Sequence, residues 1–158
     1  MTSKSARIDE AIAATEEHDY LRALTLFLDI YNAPVRTAKD ARGLSYFGLV
    51  LALVQKKYKE GIDLTRRAIE LEFYNGAHYA NLTRIYAAAG NRKKAVEAAE
   101  EGLRVAPESE HVLAARAELG NRARPALPFL DRSHPINITL GQSRHAKRLA
   151  EAEAKKKR

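Results

Sequence analysis

The chain repeats itself, and the period limits what it can fold into. Leu44, Phe47, Gly48 and Leu51 recur at a fixed offset as Tyr79, Leu82, Thr83 and Tyr86. Tyr58, Gly61, Ile62, Thr65, Ala68, Ile69 and Leu71 recur as Arg92, Ala95, Val96, Ala99, Gly102, Leu103 and Val105, at an offset shorter by one. That difference fits a single insertion near Gln55, in a turn between two helices. A weaker copy lies upstream: Tyr20, Ala23, Leu24, Ile30 and Tyr31 precede Tyr58, Gly61, Ile62, Ala68 and Ile69 at a constant, longer offset. The extra length fits a linker around Asn32-Ala33-Pro34-Val35, where Pro34 cannot extend the preceding helix.

The spacing within each copy is helical. Large, small and large residues at i, i+3 or i+4, and i+7 place an apolar stripe on one helix face. Ala23, Gly61 and Ala95 fall where two antiparallel helices must approach closely. Gly90-Asn91 suits a left-handed C-terminal stop followed by an N-cap. Glu72-Phe73-Tyr74-Asn75-Gly76 and Pro107-Glu108-Ser109 break the chain between hairpins. No segment alternates with period two for long, so an all-α fold is expected.

These residues resemble the tetratricopeptide repeat (TPR) pattern: a bulky residue, Leu-Gly and Tyr in the first helix, Ala and Phe in the second, and a closing Pro. One copy reads Tyr79-x-x-Leu82-Thr83-x-x-Tyr86, Gly90, Ala95-x-x-x-Ala99, Pro107. The copy before it reads Leu44-x-x-Phe47-Gly48-x-x-Leu51 and Gly61-x-x-x-Thr65, with Phe73-Tyr74 near the place of the closing Pro. The first copy keeps Ala23-x-x-x-Phe27, behind a leading helix carrying Ile8, Ala11, Ile12 and Thr15. The resemblance implies a right-handed α-solenoid over residues 5–120, with hairpins at about 5–36, 41–74 and 75–108. A capping helix is expected at 109–119, with Val112, Leu113 and Leu119 covering the open end and Glu110, Arg116 and Glu118 in water.

The resemblance also implies a concave face that takes a peptide or helix of another protein. Its residues here would be Arg42, Ser45, Tyr46 and Leu49 in one leading helix and Ala77, Ala80, Asn81, Arg84 and Ala88 in the next. Arg42 and Arg84 would be candidate anion contacts. Some TPR proteins clamp the carboxylates of an acidic C-terminal peptide with Lys, Asn and Arg from three leading helices. Asn81 matches one such position. Ser45 and Leu49 stand where Lys and Asn are needed, and His111 and Ala115 stand where Lys and Arg are needed. That mode is therefore not expected, and a structural role for Asn81 is preferred.

Charge divides the chain differently. Residues 1–120 carry 17 Lys+Arg and 17 Asp+Glu, while 121–158 carry 10 and 3, so the whole excess of +7 lies in the last quarter. Within 121–142, Arg122-Ala-Arg-Pro-Ala-Leu-Pro-Phe-Leu-Asp131 suits an extended segment and Ser133-His-Pro-Ile-Asn137 a helix start. Pro125 to Asn137, followed by Leu140-Gly141, is similar to the tail of small bacterial TPR proteins with a Pro-rich, basic C-terminal segment. Leu127, Phe129, Leu130, Ile136 and Leu140 are expected to dock on the solenoid, in cis as a cap or in trans on a second copy. Residues 143–158 are expected to be frayed or disordered. Their Arg144, Lys147, Arg148, Lys155, Lys156, Lys157 and Arg158 offer an alternative contact for nucleic acid, ribosomes or an anionic surface.

No catalytic constellation stands out. There is no Gly-rich phosphate loop, nucleophile elbow or His-Glu-x-x-His helix, and with no Cys there is no thiolate chemistry. The five histidines are far apart, and Glu16-Glu17 and Glu100-Glu101 read as solvated faces. The tyrosines at 20, 31, 46, 58, 79 and 86 read as packing between helices. The expectation is a cytoplasmic, non-catalytic scaffold or adaptor with no cofactor or metal.

Overall fold

The computed structural model describes residues 3–31 and 38–120, with short helical pieces at 138–139, 142–143, 146–147, 150 and 154. Among the described residues there are seven helices and no strand: α1 Lys4–Glu16, α2 Tyr20–Ile30, α3 Ala41–Gln55, α4 Tyr58–Leu71, α5 Gly76–Ala88, α6 Arg92–Val105 and α7 Glu110–Glu118. Helix starts follow local chemistry. Ser3, Asp19, Asn75 and Asn91 turn side-chain oxygens back onto the amides of Ala6, Arg22, Ala77 and Lys94, satisfying donors that the first turn leaves unpaired.

Helices α1 and α2, α3 and α4, and α5 and α6 pack as hairpins, and α7 lies against α5 and α6. Leading helices also pack on one another, α1 on α3, α3 on α5 and α5 on α7, while α2 packs on α3 and α4 on α5. The fold is an all-α TPR-like solenoid. Each hairpin turns through one left-handed residue: His18 (φ 63°), Lys56 (φ 58°) and Gly90 (φ 76°). Their spacing along the chain repeats the offsets that relate the second helices of the three copies.

The first two hairpins are joined by aromatic rings. Phe27 of α2 and Tyr31, its C-cap residue, meet Phe47 of α3 at centroid separations of 5.6 and 5.2 Å, the first pair tilted and the second stacked. The Tyr31 hydroxyl donates to the carboxylate of Asp40, the α3 N-cap residue. Burial and that acceptor push the phenol pKa upward. Within the second hairpin the contact is backbone on backbone: a Cβ added at Gly48 would lie 2.6 Å from the Gly61 carbonyl oxygen.

Helix α7 ends the solenoid. Val112 and Ala115 are buried, and Arg92 donates to the carbonyls of Leu119 and Gly120, capping the helix from α6. Leu113, expected to cover the open end, is 48% exposed. It holds in α7 the place that Tyr79 holds in α5, on the face that α6 covers; α7 has no such helix among the described residues. Arg116 and Gly120 correspond in the same way to Leu82 and Tyr86, and polar or small residues at these positions suit a solvated face.

The chain divides at Gly120 into two units. In the second, the Ser143 hydroxyl donates to the Thr139 carbonyl and Ile138 is about half exposed. The docking residues Leu127, Phe129, Leu130, Ile136 and Leu140 lie outside the described residues, as do Arg144, Arg148 and Lys155 to Arg158; Lys147 is described and exposed.

His78 of α5 is wholly buried, with Nε2 3.3 Å from a Glu72 oxygen and no hydrogen-bond partner for Nδ1. Burial lowers its pKa, against the opposing pull of Glu72. Below about pH 6.5 the unfolded chain therefore binds more protons here than the folded one, so stability falls with acidity. Hydrogen bonding from Asn75 lowers the Glu72 pKa, and its contribution is lost only at pH values below the ordinary carboxylate range. Thermal midpoints should thus drop between pH 7 and 5, and His78→Gln should flatten the profile in that window.

A contrast between Gly48 and Lys56 tests the packing and the turn. Gly48→Ala gains helix propensity of about 1 kcal/mol but drives a methyl into the Gly61 backbone and should lose about 1–2 kcal/mol net. Lys56→Gly relieves a left-handed side-chain residue and should gain roughly 0.5 kcal/mol. Urea midpoints at constant m-value measure both.

Candidate binding groove

Among the described residues, the leading helices leave one face that no following helix covers. On it lies a cavity of about 610 Å³, lined by Glu16 of α1, Tyr46, Leu49 and Leu53 of α3, Asn81, Arg84 and Ala87 of α5, and His111, Ala115 and Glu118 of α7. His18 and Tyr20, from the first hairpin turn and the start of α2, complete its rim. Its floor is aliphatic and aromatic because α3 carries Tyr46, Leu49 and Leu53 at helical spacing, displayed toward the uncovered side.

Polar groups link neighbouring leading helices along this face. The Tyr46 hydroxyl donates to Glu16 Oε1 at 2.9 Å, tying α3 to α1. Burial and then the Glu16 bond raise the Tyr46 pKa, so the phenol stays a donor at neutral pH. Arg42 pairs with Asp9 across the same two helices at 3.2 Å. Arg84 of α5 grips both carboxylate oxygens of Glu118 on α7, with contacts of 2.8 to 3.2 Å. His18 Nδ1 and the Tyr20 hydroxyl are 2.7 Å apart.

Of the nine residues expected on the concave face, Tyr46, Leu49, Asn81 and Arg84 border the cavity. Ser45 and Ala80 have no exposed surface, and Asn81 is 1% exposed. The Asn81 amide donates to the Ser45 hydroxyl at 3.0 Å, so these side chains join α5 to α3 beneath the surface. Arg42, Ala77 and Ala88 do not border the cavity: Arg42 and Ala88 are exposed and Ala77 is half-buried. The two arginines read as anion contacts are each already held by a carboxylate. Glu16, read as part of a solvated pair, is exposed and also accepts the Tyr46 hydrogen bond at the cavity edge.

Among the described residues no three His, Asp or Glu side chains gather where a metal ion could sit, and no helix is long and apolar enough to cross a membrane. Sequence reading missed His18, Tyr20, Leu53, Ala87 and Glu118 as cavity residues. Leu53 and Ala87 were findable, because each lies on its leading helix within about one turn of a residue already assigned. Nothing in the sequence pairs Glu118 with an arginine of the preceding repeat.

No known family profile matches the sequence, and no curated protein is similar to it. Solved structures do match the fold. YrrB, described as a TPR protein with an unusual peptide-binding site, superposes with a TM-score of 0.57 at 18% identity over 74% of this chain. This chain spans 58% of the length of YrrB. The Arabidopsis OM64 TPR domain gives 0.54 at 12% identity, covering 76% of this chain and 96% of that one. The second TPR domain of human RPAP3, solved with the HSP70 peptide SGPTIEEVD, gives 0.52 at 16% identity, covering 76% and 100%.

The buried pair makes a stability prediction. Ser45→Ala leaves the Asn81 amide without its partner in the interior and should cost about 1–3 kcal/mol. Asn81→Ala adds a cavity and should cost at least as much. If either variant unfolds at the wild-type urea midpoint, the pair does not join these helices.

Proposed function

We propose that the protein is a non-catalytic adaptor that holds a peptide or helix of another protein in the groove of its leading helices. The observation that carries this reading is the cavity itself. It runs across α1, α3, α5 and α7, with an aliphatic and aromatic floor and polar groups at its edges, the composition of a site that recognises a side chain by shape. YrrB and the RPAP3 domain share the fold, and their structures concern peptide binding. Recognition of an acidic C-terminal tail is not proposed, because Asn81 is committed to Ser45 and Arg84 to Glu118.

The double variant Leu53→Asn, Ala87→Tyr tests the groove. It removes apolar floor and fills the cavity at positions half-buried and exposed, so the helical signal should persist. Proteins recovered from a lysate by the full chain should be lost with this variant and kept on nuclease treatment. Nuclease-sensitive recovery that survives the variant but disappears on deleting residues 143–158 would instead support the tail as an RNA- or ribosome-contacting element.

A further inference from the structure

Charges around the cavity narrow the chemistry of what it can hold. Two arginines were expected on the concave side, and both are paired: Arg84, which borders the cavity, with Glu118, and Arg42, which does not, with Asp9. The Arg84–Glu118 contact is bidentate, so the guanidinium edge and both carboxylate oxygens are already matched. Glu16 is different. It accepts one hydrogen bond, from the neutral Tyr46 hydroxyl, and among the described residues no Lys or Arg pairs with it. Counting Glu16 and Glu118 against Arg84 leaves the Lys, Arg, Asp and Glu side chains bordering the cavity one negative charge in excess. An anionic partner would meet that carboxylate and find no free guanidinium.

Around Glu16 the cavity supplies what a cation with a long stem needs. The half-buried Tyr20 ring borders the same space and offers a π face to an ammonium or guanidinium, while the Tyr46 ring, 7% exposed, backs the cavity wall. Leu53, half-buried two turns along α3, is a surface for an aliphatic stem or a neighbouring apolar side chain, with the buried Leu49 packed behind it. We propose that the groove selects a basic, apolar segment, in which Lys or Arg meets Glu16 and an adjacent large apolar side chain covers Leu53. This deepens the groove reading above and rests on it: the partner's charge is positive at the point of contact.

The test uses the full chain and a displayed library of random peptides. Selected sequences should be enriched in Lys or Arg close to Leu, Phe, Ile or Met. A synthetic peptide of the most enriched sequence is then titrated calorimetrically. Glu16→Gln keeps an oxygen to accept the Tyr46 hydrogen bond while removing the charge, and should weaken binding about tenfold. Leu53→Asn should weaken the same peptide. An acidic or charge-neutral consensus, or a Glu16→Gln affinity within twofold of wild type, overturns the basic-segment proposal while leaving the groove reading standing. A basic peptide indifferent to Leu53→Asn and to Glu16→Gln binds elsewhere and overturns it too. Failure of the library to yield any binder overturns the groove reading together with it.

Discussion

In the middle hairpin the backbones of α3 and α4 meet with no side chain between them, at Gly48 and Gly61. That distance sets much else. With α4 this near, Thr65 reaches the α3 backbone and its hydroxyl donates to the Ser45 carbonyl at 3.4 Å. Close approach also commits that flank of α3 to its own partner helix. The other flanks are left to α1, α2 and α5, and the remainder is the groove floor. The next hairpin has Thr83 and Ala95 at those positions, and its glycine contact lies elsewhere, at Gly102 of α6, where a Cβ would lie 2.6 Å from that of Tyr79 on α5.

Stacking of leading helices then follows from side-chain pairs that differ at each junction. Aromatic rings and the Tyr46–Glu16 bond secure the first hairpin to the second. The buried Ser45–Asn81 bond joins the second to the third, and Arg84–Glu118 joins the third to the cap. Buried polar pairs of this kind specify register because either partner alone would be left unsatisfied in the interior. The exposed ion pairs contribute little to stability. Their effect on the groove is larger, since they cancel the arginine charges that would otherwise attract an anion and leave Glu16 as the carboxylate without a cation.

Much of the solenoid was legible from the sequence. Helix pairs, their small contact residues and the Asn91 cap follow from periodicity and from the hydrogen-bonding chemistry of single side chains. Other features were not legible, for stated reasons. His18 and Lys56 occupy left-handed turns without being glycine, so nothing in their identity announces the conformation that Gly90 shows openly. Leu113 looked like a core residue because its neighbours in sequence are apolar. Its exposure among the described residues reflects that none of their helices covers this face of α7, which residue type does not encode.

By itself the sequence determined that this chain is a set of repeated helical hairpins, because an apolar stripe of helical spacing recurs about once every 34 residues, and its resemblance to the TPR pattern implied that they stack. It also determined where the net charge lies, which is a matter of counting. Only the tertiary structure decided which of the candidate concave residues meet a cavity and which seal a junction. Asn81 is the plainest case: its partner Ser45 belongs to the preceding repeat, and whether an amide faces solvent or a buried hydroxyl depends on how two helices cross. The same holds for Glu16 and Arg84, because a carboxylate or guanidinium is free or neutralised only according to what the neighbouring hairpin brings within reach.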